Sequence, residues 1–514
     1  MRVRSARNSV FLGALLGISV PLVAQTFTEN GLALLGTSQG EARSASFADI
    51  DNDGDLDLLF NGQQTSRRLY RNELAETGTA SFTDVTIAYG LLANDTTGWS
   101  AAWADIDGDW DVDVFLGESN LNGATGDLFE NRGVEGFADV SATTIDDPGF
   151  HQNVAWVDID NDLDLDLVIG MEGPEMHEIY LQEPMGTFTP VGQQVGLHVG
   201  FGSKAYGMAI GDADADGDLD IYIATCRAGG DIRNNFFENR LVPDGTLSFI
   251  DIADSNGTQF RGNAYASEFA DFDDDGDLDL YMTGADGEET KLWRNNGDGT
   301  WTDVATLLGK PLLSSPGRDL NGGRAIDYDN DGDLDLCFQE HFITGATASH
   351  QLYRNDGNWN FTLVSSEEGI DTAGRGGYDS AWGDFDNDGD LDMAASTGSS
   401  YNRRFYVSNA STNGNHWLFV RLKGRVPNTR AIGAQLYATV HAGTPQERTL
   451  RRDANTNAGA FNQSDVPVHF GLGDASSIDR LEIRWPFGEV TVLTDVAVDR
   501  YLTLSADSDT WSVH

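Results

Sequence analysis

The sequence predicts an all-β chain: a seven-bladed β-propeller whose last blade is closed by an N-terminal strand, then a small C-terminal β-sandwich. Three observations predict it. A nine-residue stretch, DIDNDGDLD in its cleanest copy at Asp49–Asp57, occurs seven times at intervals of 53 to 59 residues. Each copy is flanked by short β-rich runs in one fixed order. One of those runs is missing after the seventh copy and stands alone near the N-terminus. A fixed period of this size marks a repeat architecture.

In chain order, residues 1–24 read as a secretory signal. Arg2, Arg4 and Arg7 precede an apolar run from Val10 to Ala24, broken by Pro21 and too short to span a bilayer. Ala24 is the expected cut, with Leu22 larger than the usual small residue two positions earlier. No Cys follows the run, which argues against a lipoprotein, and no later stretch is long and apolar enough to cross a membrane. The protein is expected to be secreted, extracellular or, in a Gram-negative host, periplasmic.

The repeats follow. A small-and-aromatic run enters each loop (ARSASFAD, GWSAAWAD, HQNVAWVD, AYGMAIGD, NAYASEFAD, GGRAID, GYDSAWGD) and an apolar run such as DVFLG leaves it. A third run comes next (RLYRN, LFENR, IYLQ, FFENR, LWRNN, LYRND, FYVSN), and a fourth starts at Phe82, Phe137, Phe188, Phe249, Trp301 or Phe361. Such runs between Gly, Asn and Asp are strands and turns, here called A, B, C and D. Strand D is absent after FYVSN, while an orphan copy, FTENGLALLG, stands at Phe27–Gly36. A propeller that borrows its last outer strand from the N-terminus leaves no open edge. Phe27–Asn30 is therefore expected as strand D of blade seven.

The nine-residue spacing carries chemistry. Asp at positions 1, 3 and 5 with Gly at 6 opens a calcium loop: alternate residues point oxygens inward, Gly allows the sharp turn, position 7 offers its carbonyl and position 9 closes the shell. An apolar run follows position 9 where an EF-hand would carry Glu at position 12, so the loop joins two strands. The expected metal residues are Asp49, Asp51, Asp53, Asp55 and Asp57; Asp105, Asp107, Asp109, Asp111 and Asp113; Asp158, Asp160, Asp162, Asp164 and Asp166; Asp212, Asp214, Asp216, Asp218 and Asp220; Asp271, Asp273, Asp275, Asp277 and Asp279; Asp327, Asp329, Asp331, Asp333 and Asp335; and Asp384, Asp386, Asp388, Asp390 and Asp392. Crowded carboxylates repel, and a divalent cation is the simple remedy; a bare Asp-rich turn is the alternative. Up to seven Ca²⁺ are expected. Trp110 and Leu163 replace the Gly at position 6, so the sites at Asp105 and Asp158 are expected to be weaker.

With runs such as FADIDNDGDLDLLFNG and AWGDFDNDGDLDMAAS, residues 25–410 resemble the FG-GAP/VCBS repeats of the integrin-α type of propeller. The resemblance implies that strand A lines the channel and that the calcium loops share one face. The D–A and B–C loops would then lie on the opposite face. The segments before strand A carry Arg43, Trp99, His151, Lys204, Arg261, Arg324 and Arg375, and the B–C loops add Arg67, Arg68, Arg227, Lys291, Arg403 and Arg404. That face is expected to take an anionic glycan or acidic protein segment; pairing of these residues with neighbouring Asp and Glu is the alternative.

After the polar linker STNGN, alternating apolar residues with Gly and Pro turns over residues 411–514 predict the sandwich. Asn415, Gly424, Asn428, Ile432-Gly433-Ala434, His469-Phe470-Gly471-Leu472-Gly473 and Trp485-Pro486 resemble the ASPIC/UnbV domain that follows such propellers in the cartilage acidic protein family. TNAGAFN stands before Gln463-Ser464, where that family more often has a Gly-Tyr segment. Arg448, Arg451 and Arg452 are expected on a solvated strand edge, with docking onto the propeller rim as the alternative.

The 514 residues carry 82 acidic against 32 basic side chains, a net charge of −50. The odd loop positions hold 35 of those acids, and seven divalent cations would still leave about −36, which argues against nucleic acid or an anionic membrane as partner. Cys226 and Cys337 are expected as buried free thiols rather than a bridge. No HExxH, GxSxG, Gly-rich phosphate loop or CxxC occurs, and no catalytic residue is singled out. The expected function is that of a secreted, calcium-binding adhesion or ligand-binding protein, with an extracellular protein or glycan as partner. A polysaccharide-acting enzyme and a calcium-dependent matrix-assembly protein are the alternatives.

Overall fold

The computed structural model describes residues 26–513 apart from 38–40, 63–66, 92–97, 120–125, 142–143, 146–148, 173–176, 184, 198–203, 227–232, 286, 306–317, 343–349, 371–376, 398–402, 455–458 and 508–510. The expected signal at 1–24 lies outside these residues.

Seven antiparallel sheets are each built in the order A–B–C–D. In blade two the strands are Gly98–Ala104, Asp113–Glu118, Asp127–Asn131 and Phe137–Asp139. Strands A and B are buried almost throughout, because neighbouring sheets cover both of their faces; C has alternating exposure. That burial explains why A reads as small and aromatic residues and B as a continuous apolar run. Successive A strands touch in a closed circuit, and Ser380–Gly383 of the last sheet meets Ala42–Ala48 of the first. The circuit fits seven blades.

The N-terminal strand does the closing. Thr28 and Glu29 pair antiparallel with Val407 and Tyr406 on the outer edge of the seventh sheet. Phe27 is 1% exposed and packs edge-on against Trp382. Its continuation, Gly31–Leu35, is a helical turn rather than more strand. Comparable turns at Gly192–Val195, Ala253–Asn256 and Ser365–Glu368 follow strand D elsewhere, each ended by a left-handed glycine.

The last propeller strand ends at Val407 and the first sandwich strand begins at His416. One sandwich sheet orders Val468–Gly473, His416–Lys423, Arg500–Ser505 and Trp511–Val513; the other orders Arg448–Asp453, Gln435–Val440, Ser477–Arg484 and Val490–Ala497. Leu418, Leu436, Phe470, Leu481 and Trp485 form part of the core between them. Cys226 and Cys337 are buried and unbridged. No helix among the described residues is long and apolar enough to cross a membrane.

Candidate metal ring and its cap

Each loop folds back onto its first carboxylate. Asp49 accepts hydrogen bonds from the Asp53 amide (3.1 Å) and the Gly54 amide (3.2 Å). Asp158, Asp327 and Asp384 repeat the pattern. The turn needs left-handed backbone at positions 4 and 6: φ is 58° at Asn52 and 99° at Gly54, and 59° at Asn161 and 85° at Leu163. Trp110 is also held left-handed, at 80°. Loops two and three therefore carry the backbone strain expected of their missing glycines.

The ninth residue ties each loop to its blade. Asp57 accepts from the Ile50 amide (2.9 Å) and from the Asn72 amide at the end of strand C (2.7 Å). The same double acceptance recurs at Asp113, Asp166, Asp220, Asp279, Asp335 and Asp392. The seventh position contributes through its side chain as well. Asp55 and Asp218 accept from the amides of Ala75 (2.8 Å) and Val242 (2.7 Å) in the next helical turn.

The remaining oxygens fit a cation. One oxygen each of Asp51, Asp55, Asp160, Asp212, Asp271, Asp329 and Asp386 is buried and accepts no hydrogen bond from the protein. Asp49, Asp51 and Asp53 bring ligand atoms within 4.8 Å of one another, as do Asp105, Asp107 and Asp113, and Asp158, Asp160 and Asp166. Burial, reinforced by neighbouring loop carboxylates, pushes Asp49 and Asp51 up to about 6, Asp158 and Asp271 to about 7 and Asp384 to about 8. This crowded, all-oxygen donor set suits a hard divalent cation.

The sequence pattern did not single out the residue that ends strand C. Asn131 donates to the carbonyl of Val112 in its own loop (3.2 Å) and of Ile50 in the preceding loop (2.9 Å). Asn72, Asn239, Asn295 and Asn355 bridge blades in the same way. The signal was present as the Asn of RLYRN, LFENR, FFENR, LWRNN and LYRND; Gln182 and Ser408 stand at that place in blades three and seven.

The sandwich covers the loop face. Arg421, Arg430, Arg451 and Arg452 donate to the position-6 carbonyls of Gly54 (3.0 Å), Trp110 (3.0 Å), Gly276 (2.9 Å) and Gly332 (3.1 Å). Arg448 lies between Asp274 and Asp333. The solvated edge expected for Arg448, Arg451 and Arg452 is thus corrected: that strand faces an acidic ring, and its arginines dock there. A loop of the sandwich also enters the channel. Asn462 and Gln463 pair in parallel with Ala101 and Ala102 of a channel-lining strand. The Gln463 amide exchanges two hydrogen bonds with the Trp156 backbone (2.8 and 2.9 Å), and Arg324 reaches the carbonyls of Ala460 (3.4 Å) and Asn462 (3.3 Å). Phe461, 1% exposed, packs edge-on to Trp99 with ring centres 6.0 Å apart.

Most residues expected on the basic face are engaged locally. His151 is fully buried, its ring accepting the Glu118 amide (3.2 Å), and Arg324 is spent on the channel loop. Lys204 pairs with Glu172, Arg261 with Asp254 and Arg43 with Glu41. Arg67 is buried against Glu118 and Arg403 over the Phe60 ring; Arg68, Lys291 and Arg404 also meet acids. Arg375 and Arg227 lie outside the described residues. Local pairing, the alternative reading, therefore describes most of these residues. What stands at the channel mouth is aromatic: the Arg43 guanidinium lies 4.4 Å from the Trp99 ring centre and 3.9 Å from that of Tyr378, on which His341 stacks at 4.1 Å. The Trp99 indole nitrogen and Arg43 Nε are buried there without an acceptor from the protein.

Comparison with known families agrees with this architecture. FG-GAP-like repeats match residues 49–116, 105–169, 271–338 and 341–395, and an ASPIC and UnbV domain matches 424–510. The chain is an FG-GAP-repeat propeller carrying an ASPIC/UnbV domain. Among curated proteins it is similar to cartilage acidic protein 1. It is 26% identical to the Xenopus tropicalis protein over 87% of this chain and 70% of that one, and 25% identical to the Mus musculus protein over 88% and 62%. The chain thus spans about two thirds of the length of these relatives. Solved structures similar to it include an Agrocybe aegerita lectin specific for non-reducing terminal N-acetylglucosamine (18% identity, TM-score 0.39, 65% of this chain and 81% of that one). The six-bladed Aleuria aurantia lectin is another (11%, 0.36, 64% and 96%).

Proposed function

We propose that this chain is a secreted, calcium-loaded recognition protein that receives an extracellular protein or glycan on the propeller face opposite its calcium loops. The observation that carries the reading is the cap: the sandwich binds the loop ring, so the face where strands A begin is the one left for a partner. Its centre holds Arg43 between Trp99 and Tyr378, with two buried donors that a ligand acceptor could satisfy. Flat aromatic walls beside a few polar groups suit sugar rings as well as peptide side chains. Because the described basic residues are mostly paired with acids, the ligand need not be strongly anionic. The signal-like residues 1–24 and the likeness to cartilage acidic protein 1 support secretion.

The test is retention of the calcium-loaded protein on a panel of neutral and acidic glycans, with release of shorter chains monitored. Retention that Trp99→Ala reduces at least tenfold is expected. Retention that Trp99→Ala leaves unchanged would place the ligand elsewhere, and shortened chains would make the protein an enzyme.

A further inference from the structure

Three side chains of the sandwich end on first-position carboxylates of the propeller loops. Thr429 donates its hydroxyl to Asp105 Oδ2, Tyr501 to Asp384 Oδ2 (2.8 Å) and the Gln435 amide to Asp212 Oδ2 (3.3 Å). Each of the three is held in place by its own surroundings. Tyr501 is stacked on Phe419 with ring centres 4.9 Å apart, Thr429 is 1% exposed, and the Gln435 oxygen accepts from the Tyr437 hydroxyl. In Asp212 the division of labour is visible: Oδ2 holds Gln435, while Oδ1 is buried and accepts nothing from the protein. A donor on one oxygen fixes the carboxylate rotamer and turns the other oxygen into the loop. Asp158 and Asp327 are the internal contrast: like Asp105 and Asp384 they accept from their own loop amides, but among the described residues no sandwich side chain hydrogen-bonds to them.

We propose that Thr429, Gln435 and Tyr501 are outer-shell donors to the metal sites of loops two, four and seven, so that cap docking and metal affinity at these three sites are linked. The proposal rests on the calcium reading above. All three donors are uncharged, so they orient a ligand oxygen without adding the repulsion that a guanidinium would bring to a cation. Outer-shell partners of this kind typically change metal affinity by about 10- to 100-fold. Linkage is reciprocal, so metal at these sites must tighten the cap by the same factor.

The experiment is calorimetric titration of Ca²⁺ into the full chain and into Tyr501→Phe, Thr429→Val and the double variant, each first melted in chelator. Each single variant is expected to move one site to weaker binding by about tenfold or more, and the double variant two. The other sites stay as in the wild type. Amide exchange over residues 416–423 and 500–505 is expected to slow when calcium is added to the wild type, and less so in the double variant. No calcium uptake by the wild type would sink the calcium reading itself. Uptake unchanged in all three variants would overturn the outer-shell role alone. Variants that melt lower in chelator by as much as in calcium would show a purely structural contact and overturn it as well.

Discussion

Removing calcium should invert the protein's response to pH. In the metal-free chain, burial holds Asp158 and Asp271 near 7 and Asp384 near 8, against 3.8 for an ordinary Asp. These groups bind protons more tightly folded than unfolded. Their protonated form therefore favours the folded state, and that stability is lost as pH rises towards the folded value. For one Asp at about 7, the linkage relation gives about 2.5 kcal/mol less stability at pH 8 than at pH 5. The loop carboxylates interact, so their contributions do not simply add, but all have the same sign. With calcium bound the sign reverses, because the cation requires ionised ligands and protons compete with it. The assay is thermal unfolding at pH 5, 6, 7 and 8, with EDTA and with millimolar calcium. The melting temperature in EDTA should fall from pH 5 to pH 8, while the gap between calcium and EDTA widens. A melting temperature in EDTA that is flat or rising with pH would refute the argument that buried, crowded carboxylates are what the metal relieves.

Two further outcomes concern the strained loop and the channel end of the cap. Leu163→Gly should stabilise the calcium-loaded protein by about 1 kcal/mol, because φ of 85° penalises Leu and not Gly; an equal or lower melting temperature would show that the loop is not strained there. Phe461→Ala should cost about 3 kcal/mol and split propeller and sandwich unfolding into two steps, since the ring is fully enclosed at the channel end; a single unshifted transition in calorimetry would deny the channel loop its role.

The propeller was legible because its signals are local. A nine-residue motif fixes a turn, the turn fixes the A–B hairpin, and an orphan Phe27–Asn30 run has one vacant edge to fill beside Arg404–Val407. What lay hidden depends on neighbours distant in sequence. Asn131 reads as an ordinary turn residue until Ile50, 81 positions earlier, is brought within 2.9 Å of it. His151 and Arg324 read as basic residues near a loop, yet the packing of successive blades buries the first, and the channel loop and Asp379 engage the second. Arg448, Arg451 and Arg452 gave no hint of their direction, because a strand edge facing water and one facing a ring of carboxylates carry the same composition.

The cap also breaks the symmetry that the repeat establishes. Seven loops of nearly one sequence would be nearly equivalent on a bare propeller. The sandwich is not seven-fold, and it does not meet all the loops alike. Guanidiniums reach position 6 of loops one, two, five and six, and uncharged donors reach position 1 of loops two, four and seven. Among the described residues, loop three receives neither kind of bond at those positions. A guanidinium placed beside a loop offsets part of the carboxylate repulsion that a cation would otherwise relieve, and so lowers the gain from binding one. An uncharged donor leaves that gain intact. Loop three keeps the full repulsion but carries the Leu163 strain. On the calcium reading, the order of affinities around the ring should follow the domain lying over it and position 6, more than the Asp pattern shared by all seven.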